Sequence, residues 1–493
     1  MLTPRQAFDV ALTHHRAGRY GEAASLYRQL VALDPAHADA WLNLGIVLAQ
    51  SGGEDEACTA FETVLRLRPG DFMANNNIGL LRRAQGRFDE AMNCFRAALE
   101  REPHRPEVRS NLIFTALFHP TLTPEEMDAE LRAWNRHHAV PLTQPHGNDR
   151  SPDRRLRVGY VSPDFRDHVI GRNVLPLLRE HDRAAVEVVC FSDVTAADAI
   201  TARFRALASQ WHDVAHLTHE QLAGVIRRER IDVLVDLTQH LARNRLPVFA
   251  HKPAPVQVSF AGYPASTGVG AIDHYFTDPH LGAVGADAFT LPDTYWCFDP
   301  LDDAPAVGPL PAKESGRVTF GCLNDPAKVN DRVLALWSRV LDALPGARLL
   351  ARGSRLDHPR MEAVPRLPRA AYLAMHHQLD IALDTFPYPG HTTSCEALWM
   401  GVPVVSLAGP TPISRGGLSI LKNAGLPELA ARNEEDYVRI AVDLSRDLPR
   451  LAALRAGLRA KMSASPLMDA PRFARGIENA YREMWRHWCA LAP

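Results

Sequence analysis

Residues 386–405 read FPYPGHTTSCEALWMGVPVV, and His391, Thr392, Thr393 and Ser394 stand in a row at what should be a helix start. One capping hydroxyl satisfies a helix N-terminus; two threonines and a serine after Gly-His exceed that need. Free N–H groups, the positive dipole end and adjacent hydroxyls together suit a phosphate. One turn on, Glu396 faces the same side and suits a ribose diol, although an exposed helix glutamate needs no ligand. A second anchor is Lys328 in FGCLNDPAKVNDRV, between a strand end and a helix capped by Asn330 or Asp331. It is either a solvated loop lysine or the cation that neutralises a diphosphate. His168, in DFRDHVIG, is a loop histidine after a strand, able to exchange protons near neutral pH or to serve structure alone. No D-x-D ends a strand, so no metal is expected to hold the diphosphate; a lysine and a helix dipole would do that work.

The elements that must position these residues follow from alternation. LRVGYVS (156–162), VEVVCFS, IDVLVDL and VQVSFAG read as strands, with helices expected near 199–208 and 218–229. After the Pro-rich stretch 299–316 the alternation restarts with RVTFGCL, the helix DRVLALWSRVLDAL, and the strands ARLLAR, LDIALDT and VPVVSL. Such alternation predicts two parallel sheets covered by helices, with ligands at the carboxyl ends of strands. LDIALDT supplies a strand, FPYPG a rigid turn, and HTTSCEALWM a helix closed by Gly401 with Pro403 beyond. No G-x-G-x-x-G follows the first strand, and neither a Walker A motif nor H-E-x-x-H is present, so no dinucleotide cofactor is expected.

The front of the chain repeats. Pro35, Pro69 and Pro103 are spaced by 34 residues, as are Gly18, Gly52 and Gly86, and Ala23, Ala57 and Ala91. That period, with two amphipathic stretches per unit, is the tetratricopeptide pattern of stacked helix pairs. Asn43, Asn77 and Asn111 share it. They either bond to neighbouring loops or form a ladder of amides that grips an extended peptide whatever its sequence.

Composition sets the outer bounds. With 55 basic and 57 acidic residues among 493, the formal net charge is −2, which gives no global attraction to nucleic acid or membrane. Seven scattered cysteines without a C-x-x-C pair fit a reducing compartment. The first twenty residues lack a long apolar run and no 18-residue apolar run follows, so the expected location is cytoplasmic, away from membranes.

Repeats followed by LRVGYVSPDFRDH, KPAPVQVSFAGYPASTG, FGCLNDPAKVND, LDTFPYPGHTTSCEALWMGVPVV and NAYREMWRHW resemble the protein O-linked N-acetylglucosamine transferase and SPINDLY family over nearly the whole chain. The resemblance implies an α-helical tetratricopeptide solenoid followed by an α/β two-lobed glycosyltransferase of GT-B type, with two Rossmann-like domains. The expected divisions are repeats at 1–115, a linker helix region at 116–152, an acceptor-side lobe at 153–300, a nucleotide-sugar lobe at 316–465, and at 466–493 a helix packing across lobes. It further implies inverting, metal-independent transfer of a sugar to Ser or Thr hydroxyls of protein acceptors held in the repeat groove. By the same resemblance Lys328 contacts the diphosphate, His391, Thr392 and Thr393 cradle it, Glu396 meets the ribose, and His168 orients or deprotonates the acceptor. The asparagine ladder of Asn43, Asn77 and Asn111 matches the family's peptide-guiding residues.

Three departures matter. Gln239 stands where family members carry glycine, and its side chain is expected to intrude on the acceptor or sugar pocket. Glu396 follows SPINDLY-like members, whereas His391 stands where the SPINDLY pattern has glycine; the donor is UDP-N-acetylglucosamine on the second count, GDP-fucose on the first. The stretch from Arg352 to Met375 is shortened by roughly a helix and a strand, and Tyr372, where a histidine is common, is placed to stack on the base. A catalytically decayed tetratricopeptide adaptor is the reading that follows if the shortening removed donor binding.

Overall fold

The computed structural model describes residues 3–140, 145–283, 285–301, 304–353, 356 and 358–491. They divide into two compact units, Met1–His119 and Pro120–Pro493.

The first unit is helical throughout: α1 (Pro4–Arg16), α2 (Tyr20–Leu33), α3 (Ala38–Gln50), α4 (Glu54–Leu67), α5 (Phe72–Ala84), α6 (Phe88–Arg101) and α7 (Pro106–Ala116). Gly18, Gly52 and Gly86 end α1, α3 and α5 with positive φ, as a 34-residue period with a C-terminal glycine requires. Within a repeat the two helices meet through one contact used twice. A Cβ at Gly45 would stand 2.5 Å from the Phe61 ring, and one at Gly79 would stand 2.6 Å from Phe95. Phe61 and Phe95 are wholly buried, so missing side chains on one helix admit an aromatic from the next.

The second unit opens with α8 (Pro124–His138), in the region read as a linker. Its Asn135 Oδ1 accepts from the Gly270 N–H at 3.0 Å and its Trp134 is fully buried, so this helix is docked. The first sheet runs β1 (Leu156–Ser162), β2 (Val186–Ser192), β3 (Gln210–Asp213), β4 (Val233–Asp236), β5 (Val256–Ser259), β6 (His274–Thr277) and β7 (Ala288–Thr290), in the order β3-β2-β1-β4-β5-β6-β7. The helices α9 (Val169–Glu180), α10 (Ala199–Leu207), α11 (His219–Arg228) and α12 (Leu246–Ala250) connect its strands.

The second sheet runs β8 (Thr319–Cys322), β9 (Arg348–Arg352), β10 (Met361–Val364), β11 (Ile381–Leu383), β12 (Val404–Leu407) and β13 (Ala430–Ala431), in the order β10-β9-β8-β11-β12-β13. Around it lie α13 (Pro311–Ser315), α14 (Asp331–Asp342), α15 (Arg369–Met375), α16 (Thr392–Trp399), α17 (Gly416–Asn423), α18 (Glu434–Arg446) and α19 (Leu448–Ser463). Every strand pairing in both sheets is parallel. Parallel strands buried on both faces explain why these segments read as continuous apolar runs. The stretch after Arg352, short as it is, still supplies an edge strand, with Met361 paired to Leu349 and Val364 to Arg352.

The last helix, α20 (Ala470–Ala490), follows the second lobe in sequence and docks on the first. Its Glu478 Oε1 accepts from His181 Nδ1 at 2.7 Å and from the Asp182 N–H at 2.8 Å, and Tyr481 Oη lies 3.3 Å from Tyr160 Oη on β1. One buried apolar cluster runs from Leu156 through the second sheet to Trp485, so the two lobes share a core.

The repeat contact predicts opposite signs for two glycines on helices. Gly79→Ala removes a helix penalty of at most about 1 kcal/mol but overpacks a buried ring, which costs about 1–3 kcal/mol. Gly21→Ala, with nothing within 4 Å of its Cβ, meets no such clash. Thermal unfolding should show a lowered midpoint for the first and an equal or raised one for the second; equal shifts would refute the packing account.

Candidate active site

The site forms where β8 and β11 end, and its centre is a residue that motif reading passed over. Asp384, directly after β11, is 3 % exposed. Its Oδ1 accepts from the Gly390 N–H at 2.7 Å, the Thr385 N–H at 2.9 Å and Asn324 Nδ2 at 3.0 Å; its Oδ2 accepts from Ser406 Oγ at 3.0 Å and Ser394 Oγ at 3.2 Å. Burial pushes its carboxyl above the usual range, opposed by the Asn324 and Gly390 hydrogen bonds and the Lys328 charge. The one sequence signal was an aspartate ending an apolar strand.

This hub accounts for much of the hydroxyl run. Ser394 turns inward to Asp384. Thr393 Oγ1 turns the same way, bonded to Asn324 Oδ1 and, at 2.8 Å, to the Gly390 carbonyl. Thr392 alone points across the lobes, where its Oγ1 accepts from Asn173 Nδ2 of α9 at 2.9 Å. Its own hydroxyl hydrogen remains to be donated. The N–H groups of His391 and Thr392 have no partner among the described residues. Two backbone donors and one hydroxyl at a helix start therefore make a cradle for an anion.

Lys328 closes that cradle. Its Nζ gives one hydrogen to the Pro389 carbonyl at 2.7 Å and lies 4.1 Å from the Tyr388 ring centre, leaving two N–H bonds for a ligand. Burial pulls the ammonium down to about 8, against the opposing charges of Asp384 and Asp325.

His391 takes a different part from a hydrogen-bond donor to phosphate. It holds φ at 51°, a conformation a glycine adopts freely. Its ring packs against Trp296 at 4.9 Å and Tyr388 at 5.1 Å, and any side chain at Gly416 would run into it. Burial first, then the Lys328 charge, hold its pKa near 3. The neutral ring places Nε2 3.3 Å from the Ile413 carbonyl, so Nε2 carries the hydrogen and Nδ1 only a lone pair. His391 thus shapes the cradle while its backbone N–H supplies the donor.

Glu396 is buried at 4 % exposure, and both carboxylate oxygens are engaged: Oε1 with Arg369 at 2.5 Å, Oε2 with the Tyr372 hydroxyl at 2.7 Å. Tyr372 meets His376 edge-on at 5.3 Å. These residues form one wall, at the start of α15.

On the first lobe, His168 caps α9, with Nδ1 3.3 Å from the Ile170 N–H and 3.4 Å from Asp164 Oδ1. Burial lowers the imidazole pKa against the pull of Asp164, and raises that of Asp164 against the pull of His168. The Nδ1 lone pair that caps the Ile170 N–H belongs to the tautomer whose hydrogen is on Nε2; only the other tautomer, with Nδ1–H turned to Asp164 and the cap given up, leaves Nε2 basic. Asn173 lies five residues further along α9, about 7.5 Å along the axis, so the helix that carries His168 also touches α16. Asn173 and Trp296 were not legible as site residues; the signal for both is spatial.

Gln239 does not intrude on a pocket. Held at φ 52° and wholly buried, it donates Nε2–H to the Ala265 carbonyl at 2.8 Å and accepts the Tyr263 N–H at 2.5 Å. It joins the loops that follow β4 and β5, where the bond to backbone removes it from the cleft.

In the repeat unit, Asn43, Asn77 and Asn111 occupy equivalent places on α3, α5 and α7. Asn43 and Asn77 bond back to the Asp39 and Met73 carbonyls at 2.8 Å, whereas Asn111 reaches Asn76 of α5 at 2.9 Å. All three are half-buried.

The comparisons with known proteins bear on this geometry. A family model described as glycosyl transferase family 41 matches residues 132–288 and 367–477, more than half of the chain, and tetratricopeptide models match 9–72 and 72–105. The chain belongs to glycosyl transferase family 41. It is similar to the O-GlcNAc transferase of Thermobaculum terrenum, solved as a lysine-to-methionine variant, with a TM-score of 0.91, 35 % identity and coverage of 99 % of both chains. That likeness spans the stretch holding Lys328, which lies between the two segments of the family match. It is also 38 % identical, over 69 % of its length, to a Petunia hybrida protein named probable UDP-N-acetylglucosamine–peptide N-acetylglucosaminyltransferase SPINDLY. An Arabidopsis thaliana protein named as the SEC transferase is 27 % identical over 71 % of the chain. The chain spans about two fifths of the length of these curated relatives. The two-lobed family fold thus stands as expected.

Two outcomes follow from the cradle. Pyrophosphate affinity, measured by calorimetry, should hold steady up to about pH 8 and then fall, at most tenfold per pH unit, as Lys328 loses its proton. Lys328→Arg should bind without that decline, and an identical decline there would assign the titration elsewhere. Asp384→Ala strands buried donors and should cost about 3 kcal/mol in denaturant unfolding; a loss under about 1 kcal/mol would demote the hub.

Proposed function

We propose that the chain is a protein O-glycosyltransferase that moves N-acetylglucosamine from UDP-N-acetylglucosamine to Ser or Thr hydroxyls of protein acceptors, with inversion and without a metal. The observation that carries this reading is the anion cradle of the His391 and Thr392 N–H groups, the Thr392 hydroxyl and Lys328. The names of the relatives, which specify UDP-N-acetylglucosamine and peptide transfer, support donor and acceptor.

In this mechanism the acceptor hydroxyl attacks the anomeric carbon from the face opposite the diphosphate. The new C–O bond forms as the bond to the β-phosphate oxygen breaks, and the electron pair leaves with UDP. Charge that develops on that oxygen is met by the Lys328 ammonium and the backbone donors, which are already in place and need no reorganisation. The hydroxyl proton passes to His168 Nε2 in the tautomer whose Nδ1–H faces Asp164. Glu396 holds the ribose, and Tyr372 lines the base wall. The repeats supply acceptor binding through the amides of Asn43, Asn77 and Asn111.

A cytoplasmic setting belongs to the same proposal. All seven cysteines are free thiols, and among the described residues no helix is long and apolar enough to cross a membrane.

Transfer of sugar to a protein-extract acceptor pool, read by mass spectrometry, tests the assignment. Lys328→Met should lower kcat by at least about a hundredfold while the unfolding midpoint stays within a degree or two. A variant that transfers as well as the parent would sink the mechanism. Stabilisation of the parent by UDP but by no other nucleoside diphosphate supports the donor, since a ligand at ~100 times its Kd adds about 2.7 kcal/mol.

A further inference from the structure

We infer that Asn173 is a positioning residue for the leaving group: its amide, reaching over from the first lobe, turns the Thr392 hydroxyl hydrogen into the anion cradle. The inference rests on the nucleotide-sugar reading above and adds a residue and a bond polarity to it.

A threonine in the first turn of a helix ordinarily gives its hydroxyl hydrogen to the carbonyl three or four residues back. Thr393 does so, donating to the Gly390 carbonyl at 2.8 Å. For Thr392 the corresponding carbonyls are those of Pro389 and Tyr388, and each already holds a donor. Pro389 accepts from Lys328 Nζ at 2.7 Å, and Tyr388 accepts from Thr385 Oγ1 at 2.8 Å. The side-chain bond that Thr392 makes instead is the one it accepts from Asn173 Nδ2 at 2.9 Å.

A hydroxyl has one hydrogen and two lone pairs. With one lone pair filled by Asn173, the O–H bond swings away from the first lobe. Thr392 is buried at 9 % exposure, where a hydrogen without an acceptor is costly. An anion held by the His391 and Thr392 N–H groups, which lack acceptors among the described residues, supplies one. A hydroxyl that accepts a hydrogen bond is also a better donor, because bonds in a chain polarise one another. The polarity is therefore what matters. An acceptor at position 173 would draw the same hydrogen out of the cradle. Asn173 lies on α9, the helix that His168 caps, so one helix carries the proposed base and sets a donor for the departing group.

The test measures inorganic pyrophosphate and UDP binding by calorimetry, and kcat for transfer from UDP-N-acetylglucosamine. The full chain carries Asn173→Ala or Asn173→Asp, each with Thr392 intact and each combined with Thr392→Val. Asn173→Ala should weaken pyrophosphate and lower kcat about 3- to 10-fold. Thr392→Val should lose at least as much, and beside it Asn173→Ala should have no further effect. Asn173→Asp keeps the shape but at neutral pH can only accept, so it should cost more than Asn173→Ala. That extra loss should shrink beside Thr392→Val to the part owed to the added charge. A contact that merely joins the lobes predicts otherwise, because the carboxylate still bonds to the hydroxyl. Asn173→Asp equal to or better than Asn173→Ala would thus overturn the inference, as would a loss from Asn173→Ala that persists in full beside Thr392→Val. If the alanine variant fails to fold, the aspartate variants decide alone. A parent that binds neither pyrophosphate nor UDP would remove the nucleotide-sugar reading as well; a parent that binds both, with Asn173→Ala unchanged, would remove this inference alone.

Discussion

One buried carboxylate organises the nucleotide lobe. Asp384 collects two backbone N–H groups, one amide and two hydroxyls from the ends of β11 and β8, the Phe386–Gly390 turn, α16 and β12. A charge that far from water costs several kcal/mol unless its lone pairs are filled. Five donors fill them, and each donor ties another segment to the same point. The segments so tied are those that present the His391 and Thr392 N–H groups and the Lys328 ammonium. The cradle is therefore rigid before any ligand arrives, which electrostatic stabilisation of a departing group requires.

Rigidity within one lobe has to be matched across two. Asn173 bonds to Thr392, Trp296 packs on His391, and Asp278 Oδ2 at the end of β6 accepts from Ser419 Oγ of α17 at 2.6 Å. α20 returns the chain to the first lobe, where Glu478 and Tyr481 meet His181 and Tyr160. The cleft is framed by specific polar contacts over a shared apolar core. Each of these contacts adds about 0.5–1.5 kcal/mol to the apolar core that the lobes share.

The fold was legible because periodicity survives in a linear string. The 34-residue spacing of Gly18, Gly52 and Gly86 marks positions that need positive φ, and the apolar runs at 156–162, 186–192 and 402–407 mark strands buried on both faces. The site was legible in part, as the place where strand ends meet a helix start. The direction in which each hydroxyl points was not. Thr393 and Ser394 look like donors awaiting a phosphate, but Asn324 and Asp384 claim them from other strands. Gln239 looks like an obstruction, yet two loop backbones draw it inward. Partner choice of this kind is set by three-dimensional proximity between residues 10 to 69 apart in sequence, which no local pattern encodes.

The neutrality of His391 follows from the same constraint. A protonated imidazole beside Lys328 would add a second positive charge to the cradle and attract a diphosphate more strongly at long range. Placing two like charges in a desolvated corner, however, would lower the pKa of Lys328 further and cost the charge that matters most. Packing by Trp296 and Tyr388, with the Ile413 carbonyl holding Nε2–H, removes the histidine from that competition. What remains at position 391 is a neutral ring packed between two aromatics and a backbone N–H without an acceptor among the described residues. Lys328 keeps its proton up to about pH 8 because its near neighbours are Asp384 and Asp325, not a second cation. The positive charge of the cradle thus stays on Lys328, the group on which the departing diphosphate depends.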